Sequence, residues 1–374
     1  MATGRRTDWS RLARPSLAGI EPYDPGETRD ELKDRLGLAD LVPLNWNEDL
    51  FGPPQHVLDA AVAEVARAPL YPERAYGDFR AAVADWIEVP PACVVPAHGA
   101  QALISAVTQV FVDAGTPVVI PQPTYGLYAQ LAAAGGGVVH RVPTDGLALD
   151  LEAIAAAAET HAARLVWLCD PNNPTGLLID RADWAAFLER LPDGCAAIVD
   201  EAYIDFSDPD VRVRRERDVL DGRPVVCIRS FSKVFGLAGL RLGYAVCDPA
   251  VAALLNVVQE PFNVNRVALA AGRAAVSAPG FVDTRRREVA EARAVLRGEL
   301  EEAGIRTHPS HANFVLVELG VDDGPVCQAL LRRGVLVRGG HEFGLPGFAR
   351  VTVAPPAVMQ RAAAEIVEAV ADNL

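Results

Sequence analysis

Lysine is nearly missing from this chain of 374 residues, whose positive charge rests almost wholly on arginine, with Lys33 and Lys233 the two exceptions. Positive charge as a whole is also short, since 49 acidic against 35 basic residues leave a formal net charge of -14. A surface of that sign repels a polyanion and lacks the basic face that phosphate neutralisation needs, which argues against duplex nucleic acid as a partner and favours small-molecule chemistry. One basic cluster, Arg212, Arg214, Arg215 and Arg217, is interrupted by Glu216 and Asp218 and reads as a solvated loop or helix face. Long apolar runs are missing too, so no membrane span is expected. The six cysteines, Cys93, Cys169, Cys195, Cys227, Cys247 and Cys327, show neither Cys-x-x-Cys nor Cys/His ligand spacing, which excludes the common metal frameworks. Several lie in apolar runs, as buried thiols do, and the pattern suits a reducing cytoplasm. Residues 1–17 carry four arginines but also Asp8 and no clear amphipathic stripe, so they read as a flexible arm rather than a transit peptide.

What is present is apolar and well mixed: half of the residues are hydrophobic, and no repeat or low-complexity tract interrupts them. The length suits one large and one small domain. Between about residues 90 and 250, short apolar runs alternate with Ala/Leu-rich segments of helical length, the pattern of an α/β domain built on a largely parallel sheet. Pro117 to Ile120, Leu165 to Cys169, Ala196 to Val199, Val225 to Ile228 and Leu242 to Val246 read as strands buried on both faces, because polar alternation is absent from them. A helix is predicted from Gly99 and Ala100, with Leu103, Val107, Val110 and Phe111 on one face, ending by Gly115. From about 280 onward the texture changes to a charged helix (Arg285 to Glu302) and strand-like Asn313 to Glu318, Val335 to Arg338 and Arg350 to Val353, which together suggest a small α+β domain. The expected division is a large domain over 45–275 and a small one over 18–44 and 276–374.

Polar residues directly follow most of the central strands, and in an open α/β sheet the ligand crevice lies at those carboxyl ends. Lys33 sits among Asp30, Glu31, Asp34 and Arg35, where a helix-surface ion pair explains it. Lys233 instead follows a buried strand in Arg229-Ser230-Phe231-Ser232-Lys233, where a solvated amine has little structural purpose and a covalent role becomes reasonable.

Ser230-Phe231-Ser232-Lys233, with Gly239-Leu240-Arg241-Leu242-Gly243 beyond it, resembles the lysine motif of fold-type-I pyridoxal-phosphate aminotransferases. Asp170-Pro171-Asn172-Asn173-Pro174-Thr175-Gly176 and Asp200-Glu201-Ala202-Tyr203 are similar to two further motifs of that family, in the family's order. The resemblance implies Lys233 as the Schiff-base lysine and Asp200 as the partner of the pyridine nitrogen. It further implies Asn173 and Tyr203 as donors to the ring's phenolate oxygen and Tyr125 as the stacking aromatic. Gly99, Ala100 and Gln101 at a helix start, with Ser230, Ser232 and Arg241, become the expected phosphate cup.

Further segments narrow the resemblance to the histidinol-phosphate aminotransferase branch: Ile20 to Gly26, Leu44 to Asp49, Tyr71-Pro72-Glu73, Pro261 to Asn265 and Ser310 to Phe314. That branch implies Tyr23, Asn47, Arg338 and Arg350 as substrate-binding residues, an amino donor and a 2-oxo acid acceptor as small-molecule partners, and a homodimer in which Tyr71 reaches the neighbouring cofactor phosphate. Two segments depart from it: Asn47-Glu48-Asp49-Leu50, and His98-Gly99-Ala100-Gln101-Ala102, which lacks two acids beside the cofactor. Aromatic amino-acid transamination, threonine-phosphate decarboxylation and a catalytically silent regulatory protein on the same fold therefore stand as alternatives.

Overall fold

A computed structural model describes residues 9, 12–23 and 26–374. Among the described residues thirteen strands follow in chain order: β1 (Val42–Pro43), β2 (Val94–Ala97), β3 (Pro117–Gln122), β4 (Val138–Pro143), β5 (Leu165–Cys169), β6 (Ala196–Asp200), β7 (Val225–Ser230), β8 (Gly243–Val246), β9 (Arg306–Thr307), β10 (Phe314–Glu318), β11 (Val335–Leu336), β12 (Arg338–Gly339) and β13 (Phe348–Thr352). Seven of them form one sheet in the order β2-β8-β7-β6-β5-β3-β4. It is parallel from β4 to β7, whereas β8 runs antiparallel to both β7 and β2.

The continuous apolar runs of β5, β6 and β7 are explained by helices on both faces. Successive side chains point to opposite sides, so Val166 and Leu168 enter one core while Leu165, Trp167 and Cys169 enter the other. Full burial of each such aliphatic side chain contributes about 1.5–3 kcal/mol. Trp167 is completely buried and stacks on Tyr128, with ring centroids 4.9 Å apart. The helix expected after Gly99 spans Ala100–Phe111 and packs on the same face.

The predicted strand at Leu242 to Val246 exists as β8 but reverses direction. β2 and β4 escaped the sequence reading, β4 because His140 and Arg141 interrupt its apolar pattern at the sheet edge. Val335 to Arg338 is two strands rather than one: β11 pairs in parallel with β1, and β12 joins the four-stranded antiparallel sheet β12-β13-β10-β9. The charged helix is longer than expected, Phe281–Glu302, and its buried side carries Arg285, Val289, Ala292, Leu296 and Leu300. Lys33 lies in the helix Arg29–Leu36, whose N-terminus Thr28 and Glu31 close as a capping box.

The arginine cluster at 212–217 is not solvated throughout: Arg217 is exposed and Arg212 and Arg214 are half-buried, but Arg215 is not on the surface. Arg215 is fully buried, with Nη2 2.7 Å from Asp170 Oδ2 and Nη1 3.0 Å from Glu201 Oε1. Its guanidinium also lies 4.2 Å from the centre of the Trp184 ring. Sequence spacing could not reveal this, because the acidic partners sit at the ends of other strands. Most of the expected N-terminal arm lies outside the described residues; Pro15–Leu17 form a 3-10 turn, and Ser16 Oγ donates to the Ala134 carbonyl at 2.8 Å. No described helix is long and apolar enough to cross a membrane. No metal-binding group of His, Cys, Asp or Glu was found among the described residues.

Candidate active site

The carboxyl ends of β3, β5, β6 and β7 and the start of helix Ala100–Phe111 converge on a cavity of about 460 Å³. Asn173, Asp200, Ser230, Ser232 and Lys233 arrive from the three motif-bearing strands, and Tyr125 follows β3. Ala100, Gln101 and Arg241 close one end, while Tyr23, Arg338 and Arg350 line the cavity from outside the central sheet. All the residues expected to meet the cofactor within one chain are therefore gathered in one place, apart from Gly99, which stands just behind the wall.

Gly99 caps the helix Ala100–Phe111 with φ of 96°, a left-handed conformation that an L side chain resists. A Cβ there would stand 2.8 Å from Arg241 Nη2, so the absence of a side chain is what lets the guanidinium close over the helix start. Arg241 Nη2 also lies 3.4 Å from Gln101 Oε1, and Gln101 Nε2 donates to the Tyr125 hydroxyl at 2.9 Å. Backbone amides at a helix start, two serines and a guanidinium make a site for an anion.

Asp200 ends β6 with its carboxylate buried. Oδ2 accepts from the Tyr128 hydroxyl at 2.7 Å and Oδ1 from the Ala202 amide at 3.0 Å. Burial pushes its pKa up from 3.8 to about 6, against the lowering effect of these hydrogen bonds. No cationic side chain lies within ion-pair distance of it among the described residues.

Lys233 points its amine at the segment after β1, donating to the carbonyls of Trp46 and Asn47, each at 2.9 Å. Burial lowers its pKa from 10.5 to about 7, with Arg350 adding to the effect. The amine lies 5.6 Å from the centre of the Tyr203 ring. Tyr203 is itself buried, its hydroxyl accepts from Asn47 Nδ2 at 3.1 Å, and burial raises its pKa. Asn47 is thus a buried strut that orients Tyr203 and Lys233 rather than part of the cavity wall.

Arg338 and Arg350 face each other in register across β12 and β13. Arg350 Nη1 donates to Asn173 Oδ1 at 2.6 Å and Nη2 to the Asn45 carbonyl, which leaves its buried Nε without a partner. Burial, with Arg338 contributing, lowers its pKa to about 10 even though Tyr203 opposes the shift. Arg338 Nη2 lies 2.7 Å from Glu342 Oε2. Tyr23 packs edge-on against Tyr125 with centroids 5.9 Å apart.

Tyr71 lies away from this cavity. It is exposed, stacks on Phe262 at 4.8 Å, and its carbonyl accepts from Arg266 Nη1 at 2.8 Å. Sequence reasoning missed Tyr128 and Trp46 as residues of the site. Tyr128 carried a usable signal, because it follows Tyr125 by three residues and enters the helix Leu127–Ala134 there.

A family model for aminotransferases of class I and II matches residues 39–366. The histidinol-phosphate aminotransferase of Symbiobacterium thermophilum is 39% identical over 343 residues, spanning 92% of this chain and 94% of that protein. That of Moorella thermoacetica is 35% identical over 341 residues, spanning 91% and 88%. Among solved structures, the histidinol-phosphate aminotransferase of Sinorhizobium meliloti in complex with pyridoxal-5'-phosphate has a TM-score of 0.89 at 27% identity, covering 97% of this chain and 99% of that one.

Proposed function

This chain belongs to the aminotransferases of class I and II, which use pyridoxal phosphate, and on that premise we propose that it transfers the amino group of histidinol phosphate to 2-oxoglutarate. The observation that carries the proposal is the pair Arg338 and Arg350, opposite each other on the wall of the cavity that holds Lys233. Like charges directly opposite on neighbouring strands destabilise a sheet, so a dianionic group of the substrate accounts for both being there. Histidinol phosphate has no carboxylate and offers its phosphate to these guanidinium groups, with the Tyr23 hydroxyl as a further donor. The carboxylate of the acceptor uses the same arginines in its turn. Relatives of that name at 35–39% identity support the same substrate.

The residues present fit pyridoxal phosphate. A buried carboxylate without a cation, Asp200, suits a protonated ring nitrogen. The cup closed by Arg241 over Gly99 suits the phosphate, together with Ala100, Gln101, Ser230 and Ser232. Asn173 and Tyr203 would hold the ring's oxygen, and Tyr125 its face. When bound, the cofactor supplies an electron sink for the carbon that loses its proton and a carrier for the amino group. Lys233 is the group that moves protons: burial holds its pKa down to about 7, which favours the neutral amine that would take the proton from the donor's Cα. Asn47, through Tyr203 and its own carbonyl, holds both side chains in place.

A homodimer with shared sites completes the proposal. Val62, Val65, Leu70, Tyr71 and Phe262 are large apolar side chains exposed on one chain alone, and covering them against a second copy removes that exposure. The free cysteines support a reducing compartment, and we place the protein in the cytoplasm.

Four donors with 2-oxoglutarate test the substrate: histidinol phosphate, phenylalanine, tyrosine and threonine phosphate. Histidinol phosphate should exceed the aromatic donors by roughly a hundredfold in kcat/KM, the scale of charge-assisted hydrogen bonds to its phosphate. Preference for an aromatic donor, carbon dioxide release from threonine phosphate, or silence on all four would each replace the proposal with the corresponding alternative.

A further inference from the structure

We infer that Glu342 is a built-in counter-anion for Arg338, which an anionic substrate has to displace, and that it is therefore a specificity-determining residue of this site. The inference rests on the reading of Arg338 and Arg350 as substrate anchors. Glu342 Oε2 lies 2.7 Å from Arg338 Nη2, with Arg338 mostly covered and Glu342 at the rim. An anion that approaches Arg338 therefore meets a guanidinium already engaged by a carboxylate.

The turn that carries Glu342 is built to keep it there. Residues Gly340–Phe343 form a 3-10 turn, and a Cβ at Gly340 would overlap the Leu345 carbonyl oxygen. On one side of Glu342, Asp323 is fully buried at the start of helix Asp323–Arg332 and accepts the amides of His341 at 3.1 Å and Gly347 at 2.8 Å. The same carboxylate bonds the His341 ring. On the other side, the Phe343 ring centre lies 5.9 Å from the Arg338 guanidinium and 5.1 Å from that of Arg350. Pinned neighbours leave the Glu342 side chain as the part of this turn that can move.

It has somewhere to go. A second cavity of about 290 Å³ shares Tyr23, Tyr125 and Arg338 with the first and continues to Glu342 and Phe343. In the resting site Glu342 offsets part of the repulsion between Arg338 and Arg350, and a substrate phosphate takes its place by pushing the carboxylate into that space. A neutral side chain has no such competitor to remove. Glu342 therefore sets how strongly the site prefers anions.

Calorimetric titration of inorganic phosphate into the holoenzyme tests this, with the cofactor's absorbance confirming that its own phosphate cup stays filled. Glu342→Gln should tighten phosphate binding by about fivefold, on the scale of a partly exposed ion pair, and should lose that effect when combined with Arg338→Met. Unchanged or weaker phosphate binding in Glu342→Gln, with Arg338→Met still weakening it, overturns the role of Glu342 alone. Parental phosphate binding in Arg338→Met overturns instead the assignment of Arg338 as an anchor.

Discussion

Asp200 and Lys233 face the same cavity with opposite burdens, a carboxylate held up to about 6 and an amine held down to about 7, both chiefly by burial. The cofactor-free protein bears the cost of the ionised carboxylate. Because the folded-state pKa of Asp200 exceeds its unfolded value of 3.8, the folded protein holds the proton more tightly. Stability from this group is therefore intact at low pH and is lost as pH rises through about 4 to 6. Asp200→Asn in the cofactor-free protein should accordingly be more stable than the parent by about 2–3 kcal/mol at pH near 8, with the gain vanishing toward pH 4. Urea unfolding at several pH values measures it; equal midpoints at both ends would show that the carboxylate carries no burial cost. The same variant should bind the cofactor but transaminate poorly, since an amide cannot hold a ring proton as a carboxylate does.

At the scale of elements, β5, β6 and β7 bring their motifs together because a buried charge network ties their ends. Arg215, on helix Arg215–Leu220, bridges Asp170 after β5 and Glu201 after β6, and Arg229 on β7 bridges Glu201 and Glu216. Arg215→Met leaves the buried Asp170 carboxylate without its cation and Glu201 with Arg229 alone. It should lower unfolding stability by about 3–5 kcal/mol in denaturant titration, and a parental midpoint would show that the network is not structural. The strands themselves were legible because burial on both faces erases polar alternation, and the motif residues because they follow those strands directly. Arg215 was not legible: its neighbours in sequence are charged like a surface, and its partners lie on other strands. The split of Val335 to Arg338 was equally hidden, since the apolar run does not change where pairing passes from β1 to β13.

For the whole molecule, the exposed Tyr71 is the residue on which the proposed homodimer can be tested. Mixing a Tyr71→Phe chain with a Lys233→Ala chain should regenerate some unimpaired sites, read as recovered cofactor affinity after subunit exchange. Absence of recovery despite proven exchange would place Tyr71 outside the neighbouring site. Beyond the family resemblance no physical signal in the sequence points to this role, because a tyrosine after a helix is an ordinary surface residue.

The segment after β1 is gripped from far along the chain. Thr352 donates its amide to the Leu44 carbonyl at 2.9 Å and accepts the Asn47 amide at 3.0 Å, and Arg350 bonds the Asn45 carbonyl. Those grips fix the carbonyls of Trp46 and Asn47 that receive the Lys233 amine. During translation, then, the lysine leaves the ribosome long before the strand that completes its surroundings. A chain that ends before β13 has the central sheet and the lysine but lacks the strand that fixes these carbonyls, so the site has this geometry only once β13 is in place.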